Sequence, residues 1–282
     1  MDLPFYIHQL DPVLFHLGGP FAVRWYGLAY VAAFAAAFFF LRRWSRAGSF
    51  RVAPDQLHAL ILYVVAGVML GARLGFLFFY DFPQWREDPA LLFRVWQGGM
   101  SSHGGMIGLA LAMLLFARRR YVPLLHVTDA LACVAPLGIF FGRLANFING
   151  ELWGRVTSVR WAVLFPQEAG LYPPIPGLQE KVARLYEAGI IQPRHPSQLY
   201  AAAVEGFLLW AVMMGGRQTA WAQKEGRLSA LFLAVYAAGR ISVEFFRQPE
   251  ITYFGWLTQG QLLSLLLLIP AAVLLVRSVR RS

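Results

Sequence analysis

Charge is what this sequence has least of. Of 282 residues, 14% are charged and 58% hydrophobic, against about 25% charged in an average soluble domain. A mean hydropathy of +0.51 points the same way, so the expected solvent is a bilayer. Cysteine is nearly absent. Cys133 stands alone inside an apolar run, which excludes an intrachain disulfide and a cysteine zinc cluster and marks it as packing rather than nucleophile. No spacing of His, Asp and Glu resembles a metal-ligand set, so neither a metal nor an organic cofactor is expected. A cleavable leader is missing too: residues 1–20 carry Asp2 and Asp11 and no basic patch, so insertion is expected to rely on the first span. No convincing internal repeat is visible, which weighs against an inverted-repeat transporter.

What is present is basic: a net charge of +10 and a pI near 10.2. Nucleic acid is not the expected partner, because the arginines gather in short runs after apolar stretches instead of along one polar face. Apolar stretches that reach the roughly 20 residues needed to cross a hydrocarbon core recur about seven times, near Phe21–Leu41, Leu57–Tyr80, Met100–Ala117, Leu124–Ile148, Pro196–Met214, Leu228–Phe246 and Leu257–Val276. Basic residues follow the odd-numbered spans: Arg42, Arg43, Arg46 and Arg51; Arg118 to Arg120; Arg217, Lys224 and Arg227; Arg277, Arg280 and Arg281. The positive-inside rule then puts the N-terminus outside and the C-terminus in the cytoplasm. The fold class expected is an all-α integral membrane protein, one membrane domain over residues 1–282 with about seven transmembrane helices. Segment 149–195, polar and rich in Pro and Gly, forms a small extracytoplasmic head between the fourth and fifth spans. It alternates around Val159–Phe165 as a short strand would and turns helical around Leu178–Ala188.

Charges inside spans are the informative residues, since each costs about 2.5–3.5 kcal/mol at a helix centre and needs a cavity, a partner or a ligand. Arg73, Asp129, Arg143, Glu205, Arg240 and Glu244 qualify. Arg240 and Glu244, four apart on one helix, could neutralise each other, yet Arg143 on another helix also needs an anion. Arg73 between Gly71 and Gly75 reads as a snorkelling residue at a close helix crossing. Asp129 and Glu205 read as polar glue between helices, and these three stay outside the expected site. The densest cluster is Gly142-Arg143-Leu144-Ala145-Asn146-Phe147-Ile148-Asn149-Gly150-Glu151-Leu152-Trp153-Gly154. On a helix, Arg143 and Asn146 share a face, which offers a fixed cation, amides and a carboxylate where an anionic headgroup would sit. A second cluster, Gly98-Gly99-Met100-Ser101-Ser102-His103-Gly104-Gly105, places one histidine among glycines that let backbone or ligand approach closely. It reads equally as a packed or a functional histidine.

Taken together these residues resemble the prolipoprotein diacylglyceryl transferase family. The stretch Gly142 to Gly154 looks like its signature, and His103-Gly104-Gly105 is similar to its His-Gly-Gly. Tyr26-Gly27, Arg194-His195-Pro196-Ser197-Gln198-Leu199-Tyr200, and Gly239-Arg240 through Glu244-Phe245-Phe246-Arg247 to Pro249 match in order. The one departure is Ala201, where the family usually has Glu.

The resemblance implies transfer of the diacylglyceryl group of phosphatidylglycerol to the lipobox cysteine of a prolipoprotein signal peptide, in the bacterial inner membrane. The substrate brings its own thiol. His103 is the implied base, with Arg240 an alternative source of positive field. Arg143 and Arg240 would hold the phosphate as glycerol 1-phosphate leaves, and Glu151 and Glu244 would orient the guanidiniums. Tyr26, Asn146 and Tyr236 would bond the headgroup, and Gly98 and Gly104 would admit it. The rival reading is a lipid or anion carrier that binds phosphate through the same buried arginines; a scaffold with internally paired charges is a third.

Overall fold

A computed structural model describes residues 3–18, 21–95, 98–249 and 251–280. The chain packs as two compact units. The first comprises the chain up to Ala37 and from Leu131 onward, and the second is Phe38–Ala130; segment 149–195 lies wholly in the first.

Strands β1 (Tyr6–Ile7), β2 (Val13–Gly18) and β3 (Phe21–Arg24) precede helix α1 (Trp25–Arg46). The first predicted span therefore starts four residues late: Phe21–Arg24 pairs antiparallel with β2, because an apolar run of four says nothing about helix or strand. Helix α1 ends on Arg43 and Arg46, cations that complement the helix dipole there. In the second unit, α2 (Leu57–Phe79) leads into a short α3 (Phe82–Glu87) and then α4 (Ser102–Arg120). Ser101 caps α4 by accepting the Gly104 N–H at 3.3 Å.

Helices α2 and α4 cross with their backbones in contact. A Cβ at Gly75 would lie 2.7 Å from the Gly104 Cα, and one at Gly71 would lie 2.8 Å from the Gly108 Cα. The close crossing expected at Gly71 and Gly75 is thus present, but Arg73 does not snorkel. It is 3% exposed, and its guanidinium donates to the carbonyls of Leu91, Arg94, Gly98 and Gly99. A buried guanidinium that satisfies these four carbonyls holds Leu91, Arg94, Gly98 and Gly99 in place ahead of α4.

Helix α5 (Leu124–Asn149) carries Pro136 inside it. In the first unit it is followed by β4 (Val163–Leu164), α6 (Leu178–Glu187) and β5 (Pro193–Arg194). Strands β1, β4 and β5 form one small sheet, and Leu178 and Val182 of α6 join Leu164 and Ile191 in a core covered by Leu3, Phe5 and Ile7. The expected strand and helix of segment 149–195 are both there, the strand trimmed to two residues. Next come α7 (Ser197–Ala201), a π-helical stretch (Ala202–Leu208) and α8 (Leu209–Arg217), which form one continuous rod. Helix α9 (Arg227–Glu244), the β6 (Thr252–Tyr253) and β7 (Leu257–Thr258) pair, and α10 (Gln259–Arg280) complete the chain.

Five helices among the described residues are long and apolar enough to cross a membrane: Trp25–Arg46, Pro54–Phe79, Leu124–Asn149, Ser197–Arg217 and Gln259–Val279. The third and sixth predicted spans are also helical, as α4 and α9. Arg118 to Arg120 dilute the first of these, and Arg227, Arg240 and Glu244 the second. Outward faces are apolar, with Leu62, Phe79 and Ile269 each more than half exposed, which suits lipid and not water.

Candidate active site

The site grows from the end of α5. Arg143 and Asn146 lie one turn apart on it, and the helix stops at Asn149 because Gly150 takes a positive φ of +65°. The Glu151 N–H returns to the Asn146 carbonyl at 3.1 Å. The Asn146 amide, 6% exposed, donates to Glu151 Oε1 at 2.8 Å, and Asn149 donates to the same oxygen at 3.4 Å. Glu151 therefore fixes two amides. It was expected to orient a guanidinium, and that is the work of another acid.

That acid is Glu205. Fully buried, it accepts Arg143 Nη2 on Oε2 at 3.1 Å and Arg240 Nη1 on Oε1 at 3.3 Å. Arg240 Nη2 also lies 2.7 Å from Glu244 Oε2 one turn on. Arg143 and Arg240 are nearly buried, with side chains 18% and 13% exposed. Glu205 does tie helices together, as interhelical glue would, and although it stands outside the expected site it is the anion that pairs with Arg143. The expectation that Arg240 and Glu244 neutralise each other is half of the arrangement. The full cluster joins two arginines and two glutamates, whose formal charges cancel, as burial demands.

Glu205 reaches both arginines because of its backbone. It sits in the middle of the π-helical turn, Ala202–Leu208, where the extra residue per turn redirects side chains and often marks a functional position. Gly206 beside it lets that turn press on α5: a Cβ there would stand 2.7 Å from the Phe140 Cα, one turn before Arg143. Ala201, the departure from the family pattern, is buried at 2% exposure one turn earlier in the same rod. Tyr236 lies one turn before Arg240 on α9, within electrostatic reach of Glu205, Arg143, Arg240 and Arg247, and stacks on Phe232.

Motifs far apart in sequence are sewn to this cluster by main-chain bonds. Gln198 donates to the Glu151 carbonyl at 2.7 Å and Ser197 to the Leu152 carbonyl at 3.1 Å. The Gly154 N–H bonds the His195 carbonyl, and the Arg155 N–H bonds that of Phe246, each at 2.9 Å. Only glycine fits at 154, since a Cβ would lie 2.5 Å from the Phe246 carbonyl oxygen and 2.6 Å from that of His195. The ends of α5 and α9 and the start of α7 are thereby one rigid assembly.

Two histidines beside it carry no expected role. His8, fully buried, pairs through Nε2 with the Phe147 carbonyl at 2.7 Å, while Gln167 Nε2 meets its Nδ1 at 3.1 Å. The ring is thus neutral with the proton on Nε2. Burial holds its pKa below the usual 6.5, against the opposing pull of the Phe147 carbonyl. The Gln167 side chain also lies where a Cβ of Gly150 would be, so His8 latches the turn that carries Glu151. His195 faces Tyr200 Oη from Nδ1 at 3.2 Å and packs edge-on against Phe246; burial lowers its pKa as well. The Arg194-His195-Pro196 stretch was legible as a motif, whereas nothing in the sequence marks His8.

The remaining expected residues belong to other elements. Tyr26 is the second residue of α1 and packs against Tyr30, centroids 5.5 Å apart. His103 belongs to the second unit, exposed in the first turn of α4. Gly104 is buried against α2, where the helix crossing and not a ligand demands a glycine. Gly98 has φ +83° and gives its carbonyl to Arg73.

Comparison with known proteins agrees in extent with these interlocked motifs. Residues 12–277 match the family model described as prolipoprotein diacylglyceryl transferase. A phosphatidylglycerol--prolipoprotein diacylglyceryl transferase of Sinorhizobium medicae (strain WSM419) is 42% identical over 292 aligned positions, which cover 99% of this chain and 94% of that protein. Proteins of the same name from Rhizobium meliloti (strain 1021), 43% identical with 93% and 89% covered, and Idiomarina loihiensis (strain ATCC BAA-735 / DSM 15497 / L2-TR), 41% identical with 95% and 93% covered, are similar throughout. With a match that runs through α1, both arginine helices and nearly to the end of α10, this chain belongs to the prolipoprotein diacylglyceryl transferase family.

Proposed function

We infer that this chain is the enzyme that transfers the diacylglyceryl group of phosphatidylglycerol to a prolipoprotein cysteine, the first step of lipoprotein maturation, in the bacterial inner membrane. Sulfur forms a thioether to the glyceryl carbon, the carbon–oxygen bond to phosphate breaks, and glycerol 1-phosphate departs. The acceptor is the lipobox cysteine of a signal peptide. The thiol proton leaves for a base, and the thiolate attacks.

The observation that carries the site assignment is the Arg143–Glu205–Arg240 bridge. Two guanidiniums from different helices are held in register by one buried carboxylate, each spending one nitrogen on it. Charge on the departing phosphate grows from about one to two as the ester bond breaks, and fixed cations stabilise that change without reorganising. Because Glu205 and Glu244 already balance them, the cluster stays stable when no lipid is bound and its field is strongest along the guanidinium faces turned from the acids. Asn146, held by Glu151, supplies an amide nearby on α5. Tyr236 and Tyr26 complete the proposed set on this unit, and the exposed His103 of the second unit is the proposed proton acceptor on its resemblance to the family's His-Gly-Gly alone.

The helices α4 and α9 count as the third and sixth of seven spans. Basic runs at the C-terminal ends of α1, α4, α8 and α10 keep the C-terminus in the cytoplasm and segment 149–195 outside. The deciding experiment incubates purified protein with phosphatidylglycerol and a lipobox peptide. Thioether formation with release of glycerol 1-phosphate is the expected result; phosphatidylglycerol binding without thioether would convert the reading to a carrier.

A further inference from the structure

Helix α10 approaches the arginine pair through a glycine. Glu244, the last residue of α9, is 3% exposed, and its carboxylate occupies the space beside Gly260 in the first turn of α10. A Cβ at Gly260 would stand 2.6 Å from Oε2 and 2.8 Å from Oε1. Such distances leave no room for a methyl group, so one of the two partners would have to move.

The backbone at Gly260 is not free to give way. Thr258 and Gln261 bracket it in a reciprocal cap: the Gln261 N–H donates to Thr258 Oγ1 at 3.2 Å, and the Thr258 N–H donates to Gln261 Oε1 at 3.1 Å. This pairing fixes the entry of the helix, and both side chains are buried. Ser264 Oγ donates to the Gly260 carbonyl at 2.7 Å, and the preceding Gln259 N–H is bonded to the Ile251 carbonyl. The carboxylate is therefore the part that would be displaced. It is the second anion on Arg240, on Nη2, while Glu205 holds Nη1.

We propose that Gly260 is a positioning residue for transfer: its missing side chain lets Glu244 lie against α10 and so fixes Arg240 in the plane that presents it to the donor's phosphate. This rests on the reading of Arg143 and Arg240 as the phosphate-holding pair. On helix propensity alone an alanine at 260 would favour α10, so a loss of activity there runs against the ordinary expectation.

The test is a size-compensation cycle on the full-length protein, with Gly260→Ala, Glu244→Asp, their combination and Arg240→Ala. Transfer from phosphatidylglycerol to a lipobox peptide and thermal unfolding in detergent are both read. Gly260→Ala should lower kcat/KM on the order of tenfold to a hundredfold, the scale of a misplacement of about 1 Å. Because aspartate is one methylene shorter, adding Gly260→Ala to Glu244→Asp should cost less than about twofold, a coupling that a general packing defect would not produce. If Gly260→Ala does not accumulate in membranes, restored accumulation in the double variant reports the same contact. A wild-type rate for Gly260→Ala, losses that multiply independently in the cycle, or failure of Glu244→Asp to restore accumulation overturns the inference while Arg240→Ala stays inactive. A wild-type rate for Arg240→Ala overturns instead the reading of the arginine pair, and with it the role of Gly260.

Discussion

Arg143 and Arg240 are joined through a single carboxylate: Glu205 Oε2 takes Arg143 at 3.1 Å, and Oε1 takes Arg240 at 3.3 Å. Neither arginine reaches the other without it. Glu205→Gln should leave two guanidiniums facing a neutral amide, and breaking a buried pair from one side costs about 3–5 kcal/mol. A fall in thermal unfolding midpoint together with loss of transfer is expected, and the two are measured on the same purified variant. An active variant of unchanged midpoint would show that the bridge is dispensable.

Arg143→Ala should abolish transfer, since the headgroup would lose a fixed cation in a low-dielectric site. Arg143→Lys should recover little, because an ammonium is a point charge and cannot hold a carboxylate and a phosphate in one plane. Initial rates at matched membrane expression decide it, and near-full activity of the alanine variant would refute the assignment.

His103→Gln tests the proposed base. General-base catalysis contributes about 10²–10⁴-fold, so the rate at saturating lipid should fall by at least the lower figure near neutral pH. The deficit should shrink above about pH 8.5, where a free thiol ionises unaided. A deficit that stays constant from pH 6 to pH 9 would remove His103 from the chemistry and leave it a role at the start of α4.

His8 predicts an acid limit to stability. Its ring is held neutral, with the folded pKa below the unfolded 6.5. Its contribution is therefore intact above about pH 6.5 and lost as pH falls from there through the folded value, since the unfolded chain binds the proton first. His8→Gln keeps a donor for the Phe147 carbonyl and an acceptor for Gln167 but does not titrate. Unfolding midpoints from pH 8 to pH 5 should diverge below pH 6.5, with the wild type falling faster; parallel curves would exclude His8 as the source.

Orientation is tested at Arg160. With Cys133 replaced by Ala, an Arg160→Cys variant should react with an impermeant thiol reagent from outside the cell. Labelling only from the cytoplasmic side would invert the topology and place the arginine cluster at the wrong end of the helices.

The helices were legible because each apolar run is long enough to leave one reading. Their ends were not: Phe21–Arg24 and Leu257–Thr258 continue the hydropathy of the adjoining spans yet form strands. Arg143, Asn146 and Glu151 stood out as polar residues at one helix end, and the structure gathers them. Glu205 was visible as a charge, but its direction depends on a π turn that composition does not encode. Arg73, at the expected helix crossing, and Gly104, inside the His-Gly-Gly motif, owe their identities to a loop and a helix crossing. His8 lies far from its partners in sequence, so only the folded chain reveals it.

The contact between α2 and α4 has a consequence for how this enzyme responds to mutation. Where two backbones touch, the smallest side chain is a wedge, and the replacement usually regarded as mildest becomes the most disruptive. Alanine at Gly71, Gly75, Gly104 or Gly108 should silence the protein by prying helices apart, with every reacting group untouched. His103 stands one residue from that seam, so intolerance of substitution across His103-Gly104-Gly105 mixes two causes. Volume governs position 104, where a Cβ would collide with the Gly71 carbonyl oxygen, while the proposed chemistry belongs to 103, and a scan that scores only activity would merge them into one apparent catalytic motif.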